Sequence, residues 1–94
     1  MIASVRDRRV TELLAGSVPA RFPADLVRRA QRAVVALDLA KRLDDMAIPP
    51  SNRLEALRGD RIGQWSIRIN RQWRLCFRWT GQAAEDVEIV DYHL

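Results

Sequence analysis

Two adjacent prolines, Pro49 and Pro50, stand where the chain changes its hydrophobic period. On their N-terminal side apolar residues recur every three or four positions, as on a helix with one buried face. Beyond them apolar and polar residues alternate, as on a strand with one buried face. Nothing between the two halves resembles a linker, a repeat or a low-complexity segment. One switch of period in 94 residues therefore reads as a single α+β domain spanning 1–94. Its expected form is two N-terminal helices packed on one face of a small antiparallel sheet.

The helical half divides at Gly16. From Asp7 to Ala15, Val10, Leu13 and Leu14 share a side, and Gly16 sits where a helix-ending glycine belongs. A second helix follows Pro23, whose ring suits a first helical turn. In it Leu26, Ala30, Ala33, Val34, Leu37 and Ala40 form the buried face. Arg28, Arg29, Arg32 and Asp38 fall opposite, on a face left for solvent or a protein partner. Met1 to Val5 is a candidate short edge strand.

Matching faces sets the register of the sheet. Trp65, Ile67 and Ile69 alternate on one segment, and Trp73, Leu75, Phe77 and Trp79 on the next. A three-residue loop, Asn70-Arg71-Gln72, pairs Ile69 with Trp73, Ile67 with Leu75 and Trp65 with Phe77. That register sets Arg68 against Arg74, a destabilising like-charge pair that an anion between them would relieve. A third strand, Val87 to Tyr92, is expected to pair Phe77 with Ile89, Arg78 with Glu88 and Arg74 with Tyr92. Arg78 and Glu88 would then form a cross-strand ion pair.

Composition removes several classes of function. Cys76 has no partner for a disulfide, and one Cys with one His makes no metal-ligand set. The four glycines are scattered and form no phosphate loop. The longest apolar run, Ala33 to Leu37, is far short of a bilayer span, so a cytoplasmic protein without membrane attachment is expected. No cofactor is expected. Fifteen of the sixteen basic residues are Arg, a side chain whose planar fork matches phosphate. Seven Arg lie between Arg53 and Arg78 against Glu55 and Asp60, whereas the stretch from Trp79 onward has four acids and no Lys or Arg. An anion site rimmed by carboxylates fits that asymmetry.

Arg58, Arg68, Arg74, Tyr92 and His93, with Glu55 and Asp91 nearby, suit cleavage of RNA by its own 2′-hydroxyl. That reaction needs a proton acceptor, a proton donor and cations on the phosphorane. The stretch RLEALRGDRIGQWSIRINRQWRLCF from Arg53, followed by VEIVDYH, resembles the HigB-type killer toxins of the RelE superfamily. The L-x-x-L-[KR]-G-D-R segment, the WSI…WR hairpin and the D-Y-H trio carry the resemblance together. It implies the RelE-like, microbial-ribonuclease-type toxin fold.

It also implies a toxin of a type II toxin–antitoxin pair, a ribosome-dependent endoribonuclease that cuts mRNA in the A site. Its implied partners are the ribosome with its mRNA and a helix-turn-helix, HigA-type antitoxin through which the complex binds operator DNA. By position Arg74 matches the Arg that contacts the scissile phosphate, and Asp91, Tyr92 and His93 match the trio needed for cleavage. Arg58 stands where Lys is common and Glu55 where some members have His, so Glu55, Asp91 and His93 all stay candidates for the general base. Arg68 would share in binding substrate, and Arg53, Arg61 and Arg71 would anchor to ribosomal RNA by its backbone. Two rivals use the same scaffold: an inactive or gyrase-inhibiting relative neutralised by an antitoxin, and a generic RNA-binding module. The latter lacks exposed aromatics, since Trp65, Trp73 and Trp79 are assigned to the core.

Overall fold

A computed structural model describes residues 1–92. Helix α1 spans Arg8–Leu14, shorter than three full turns, and owes its ends to side chain and glycine. The Asp7 carboxylate caps its start by accepting the Arg9 amide, 3.0 Å away. At its end Gly16 adopts φ +86°, and the amides of Gly16 and Ser17 return to the carbonyls of Leu13 and Glu12. This closes a Schellman turn, for which a left-handed glycine is suited. Helix α2 spans Val27–Leu39 and buries Ala30, Val34 and Leu37, with Leu26 and Ala40 buried at its borders. It begins later than the sequence suggests: Pro23 lies in a preceding turn, its carbonyl accepting the Leu26 amide.

Four antiparallel strands lie in the order of the chain: β1 Glu55–Ala56, β2 Trp65–Arg68, β3 Trp73–Thr80 and β4 Ala83–Asp91. β1 is absent from the sequence reading, which leaves that segment as loop; two residues are too few for an alternation to show. The β2–β3 register is the expected one, with Trp65 opposite Phe77, Ile67 opposite Leu75 and Arg68 opposite Arg74. The β3–β4 register is not. Leu75, rather than Phe77, faces Ile89; Arg74 faces Val90, and Arg78 faces Glu85.

A bulge accounts for the difference. β3 turns into β4 through Gly81 and Gln82, so the strand starts at Ala83, four residues before the alternation becomes visible. Ala84 and Val87 are three apart yet both fully buried, which strict alternation forbids. The register shift opposite Cys76–Arg78, with Asp86 at φ +52°, absorbs the extra residue and returns both side chains to the core. The expected Arg78–Glu88 pair is lost with the register: Arg78 meets Asp86 at 3.5 Å, and Glu88 meets Arg61 at 2.7 Å.

The N-terminal segment does run along the sheet edge, but through two parallel bridges to β4, Ile2 with Ala84 and Val5 with Val87. Farther along that edge Asp7 accepts the Ile89 amide and Arg9 donates to the Ile89 carbonyl. Side chains thereby satisfy an edge that would otherwise pair with another strand. Asp38 is not simply solvated either, since it accepts the Ile2 amide at 2.9 Å. Both helices share one apolar cluster with Ile67, Leu75, Phe77, Val87 and Ile89. Trp65, Trp73 and Trp79 pack on its margin, half-buried. The other face of the sheet is left for polar chemistry.

Candidate active site

Because Leu75 and Phe77 point to the core, Arg74, Cys76 and Arg78 point the other way. Pairing across all four strands lines up Glu55, Ser66, Cys76 and Glu88 in one row on that face. Arg74 lies one step along from the row and reaches back to it. Its guanidinium donates to the Glu55 carboxylate at 2.7 Å and to the Ser66 hydroxyl at 3.4 Å. The ring of Tyr92 covers it, with the guanidinium carbon 5.3 Å from the ring centre. Arg74 is thus held by a carboxylate at one edge and an aromatic face at another. Its side chain is only 20% exposed, whereas Glu55 is 54% exposed and open to an incoming group.

The predicted pairing of Arg74 with Tyr92 fails as register and holds as proximity. The Tyr92 amide donates to the Gln72 carbonyl at 2.6 Å, which brings the ring over β3 from the end of β4. Burial raises the Tyr92 phenol above its ordinary value, and the neighbouring Cys76 adds to the rise against the opposing pull of Arg61 and Arg74. The group therefore stays protonated at neutral pH. Burial likewise raises the Cys76 thiol, so it stays protonated beneath the cluster.

Arg68 and Arg74 do face each other, and their repulsion is relieved by divergence, with no anion needed between them. Arg74 turns to Glu55, while the Arg68 Nε donates to the Asn70 carbonyl at 3.2 Å. Arg61 also departs from expectation. Its guanidinium is committed to Glu88 at 2.7 Å and Gln64 at 3.0 Å, and the Glu88 bond raises its pKa further. This pins the 58–64 loop over the sheet. Arg61 is thus engaged within the fold, with its side chain 32% exposed.

Arg58 is exposed at the head of a short 3-10 turn over Gly59–Arg61. Asp91 is exposed opposite Trp73, and by alternation it shares the side of Ile89, away from Arg74 and Tyr92. His93 lies outside the described residues. Arg53, Arg68 and Arg71 line a separate groove beside α2. Ser66 and Cys76 escaped the sequence reading as members of the site, although the hairpin register already set them side by side. Among the described residues no cluster of His, Cys, Asp or Glu is arranged to hold a metal.

One guanidinium between a carboxylate and a protonated phenol can grip a phosphate, accept a proton and donate one. Comparison with known proteins gives the family. A family model for HigB, the RelE-like toxin of type II toxin–antitoxin systems, matches residues 16–93. Toxin HigB-1 of Vibrio cholerae is 40% identical over 63 residues, which are 67% of this chain and 66% of that protein. Endoribonuclease HigB of Proteus vulgaris is 30% identical over 93 residues, 99% of this chain and 100% of that protein. Among solved structures, a YoeB/ParE toxin from Agrobacterium tumefaciens aligns over 95% of this chain and 80% of its own, with 26% identity and a TM-score of 0.38.

Proposed function

The chain belongs to the HigB-like toxins of the RelE-like type II toxin–antitoxin family, and from that membership we propose that it is an endoribonuclease cutting mRNA at the Arg74 cluster. The observation that carries the reading is the clamp itself, Arg74 between Glu55 and Tyr92. A scissile phosphate approaching Arg74 replaces Glu55 as its anionic partner. The freed carboxylate then takes the proton of the 2′-hydroxyl, whose oxygen attacks phosphorus. Arg74 stabilises the extra charge on the phosphorane. The 5′-oxygen leaves with a proton from the Tyr92 phenol, and His93 is kept as a second candidate donor on the family resemblance alone. The products are a 2′,3′-cyclic phosphate and a 5′-hydroxyl end.

Glu55 is the general base in this scheme. Arg58 steadies the substrate from the exposed turn. Among the described residues the site has one clamp and no aromatic platform to splay a free strand, so it works on mRNA presented by the ribosomal A site. A type II toxin of this kind is neutralised by an antitoxin, here proposed to be the helix-turn-helix, HigA type that also carries the complex to operator DNA. Mapping the ends produced from mRNA on programmed ribosomes and from the same RNA alone tests the reading. Cyclic phosphate ends in the A-site codon, with little cutting of free RNA, are expected. Equal cutting of both would remove ribosome dependence, and 3′-hydroxyl ends would remove the 2′-hydroxyl mechanism.

A further inference from the structure

A groove of about 940 Å³ runs between α2 and the β2–β3 turn; Arg74, Glu55 and Tyr92 do not line it, while Arg68, which does, faces Arg74 across the hairpin. Its rim has five guanidiniums, those of Arg29, Arg32, Arg53, Arg68 and Arg71, and among the described residues no carboxylate lines it. Its floor is aliphatic at Ala33, Ala36, Ile48, Pro49, Ile67 and Ile69, and Ser51, Asn52, Asn70 and Gln72 also line the groove. Across Ala36 the floor continues onto a second, shallower apolar depression that includes Val35 and Leu39. Leu39 is 72% and Ile48 74% exposed, so this strip lies uncovered on the surface.

Two kinds of polyanion would answer the charge, and the floor separates them. An RNA backbone meets the arginines but leaves the aliphatic strip unused, and among the described residues no aromatic side chain lines the groove to stack a base. A peptide helix with carboxylates on one flank and Leu-type side chains on the other satisfies both surfaces. We propose that this groove seats an acidic, amphipathic segment of a protein partner. Its carboxylates pair with Arg29, Arg32, Arg53 and Arg71, and its apolar side chains cover Ala36, Leu39 and Ile48. This inference rests on the toxin reading only in that such a toxin has a protein neutraliser.

The test uses two labelled probes and the intact chain: a synthetic amphipathic helix of Leu, Ala and Glu, and an oligouridylate blocked by 2′-O-methyl groups. A scrambled peptide of the same composition controls for charge alone. The wild-type chain should bind the amphipathic peptide, and Arg32→Glu with Arg53→Glu should weaken it about tenfold or more. Leu39→Ser should weaken it severalfold, with oligouridylate binding unchanged. All three residues are exposed, so thermal unfolding of the variants should match the wild type. Equal affinity for the scrambled peptide, or indifference to Leu39→Ser, overturns the proposal. So does a charge reversal that weakens oligouridylate binding and spares the peptide, which would make the groove a phosphate track. Cleavage assays on the same variants separate the two readings: a wild type that cuts no RNA defeats the proposed function and leaves the peptide result standing.

Discussion

Arg74 has three partners at once, and each was visible in the sequence to a different degree. Its side of the sheet follows from alternation with Leu75 and Phe77. Tyr92 came within reach by its place near the end of the last strand, even though the paired register was off by two residues. Glu55 was named only as a nearby carboxylate, and its pairing with Arg74 was not foreseen, because the two-residue strand that carries it leaves no periodic trace. Asp7 is a second residue where several bonds converge. Burial would raise its pKa, but hydrogen bonds from the Arg9 guanidinium and the Ile89 and Arg9 amides outweigh that and hold it below the usual carboxylate range. A depressed carboxylate stabilises the fold above the unfolded value of about 4, and that contribution is lost as pH falls through the folded pKa. Asp7→Asn should therefore cost about 1–2 kcal/mol at neutral pH and less in acid. Urea unfolding at pH 7 and pH 3 checks this; an equal loss at both would show that the charge of Asp7 is irrelevant.

The β2–β3 hairpin was the most legible element, since only one loop length matches two apolar faces. Its turn is held by the Asn70 side chain, which accepts the Gln72 amide at 2.9 Å and the Trp73 amide at 2.8 Å. Gln72 in turn accepts the amide of Tyr92. Asn70→Ala should cost about 1–2 kcal/mol and also loosen Tyr92 over Arg74. Cleavage at temperatures where the variant is fully folded should fall; a variant that loses stability and keeps full cleavage would disconnect the turn from the site. The β3–β4 pair was illegible for a physical reason. A bulge changes the parity of a strand partway along, so Ala84 and Val87 share a face that no single alternation predicts. Every pairing inferred outward from Val87 inherited the wrong register, including the Arg78–Glu88 ion pair.

On the scale of the whole molecule, the division of labour between the two sheet faces was readable in advance. One face meets the helices and the other is polar, because the period changes once, at the paired prolines. Phe77 is fully buried at the centre of the shared cluster. Phe77→Ala should cost about 3–5 kcal/mol, a large part of the roughly 5–10 kcal/mol available to a domain of this size. Thermal unfolding checks it; a loss below about 1 kcal/mol would mean that the core is not organised around that ring. The arrangement of the basic surface was less readable. A string of seven arginines gave no sign that one would clamp a carboxylate, one would brace a loop and three would line a groove with α2. Three-dimensional neighbours decide that, and the charge count does not. The most direct trial of the account is the single-turnover rate of mRNA cleavage on programmed ribosomes by the wild-type chain and by Arg74→Ala, both shown to be folded. The account predicts a fall of about 10²-fold or more, the scale of losing one oriented charge at the reacting phosphate, and a rate within a factor of about two would contradict it.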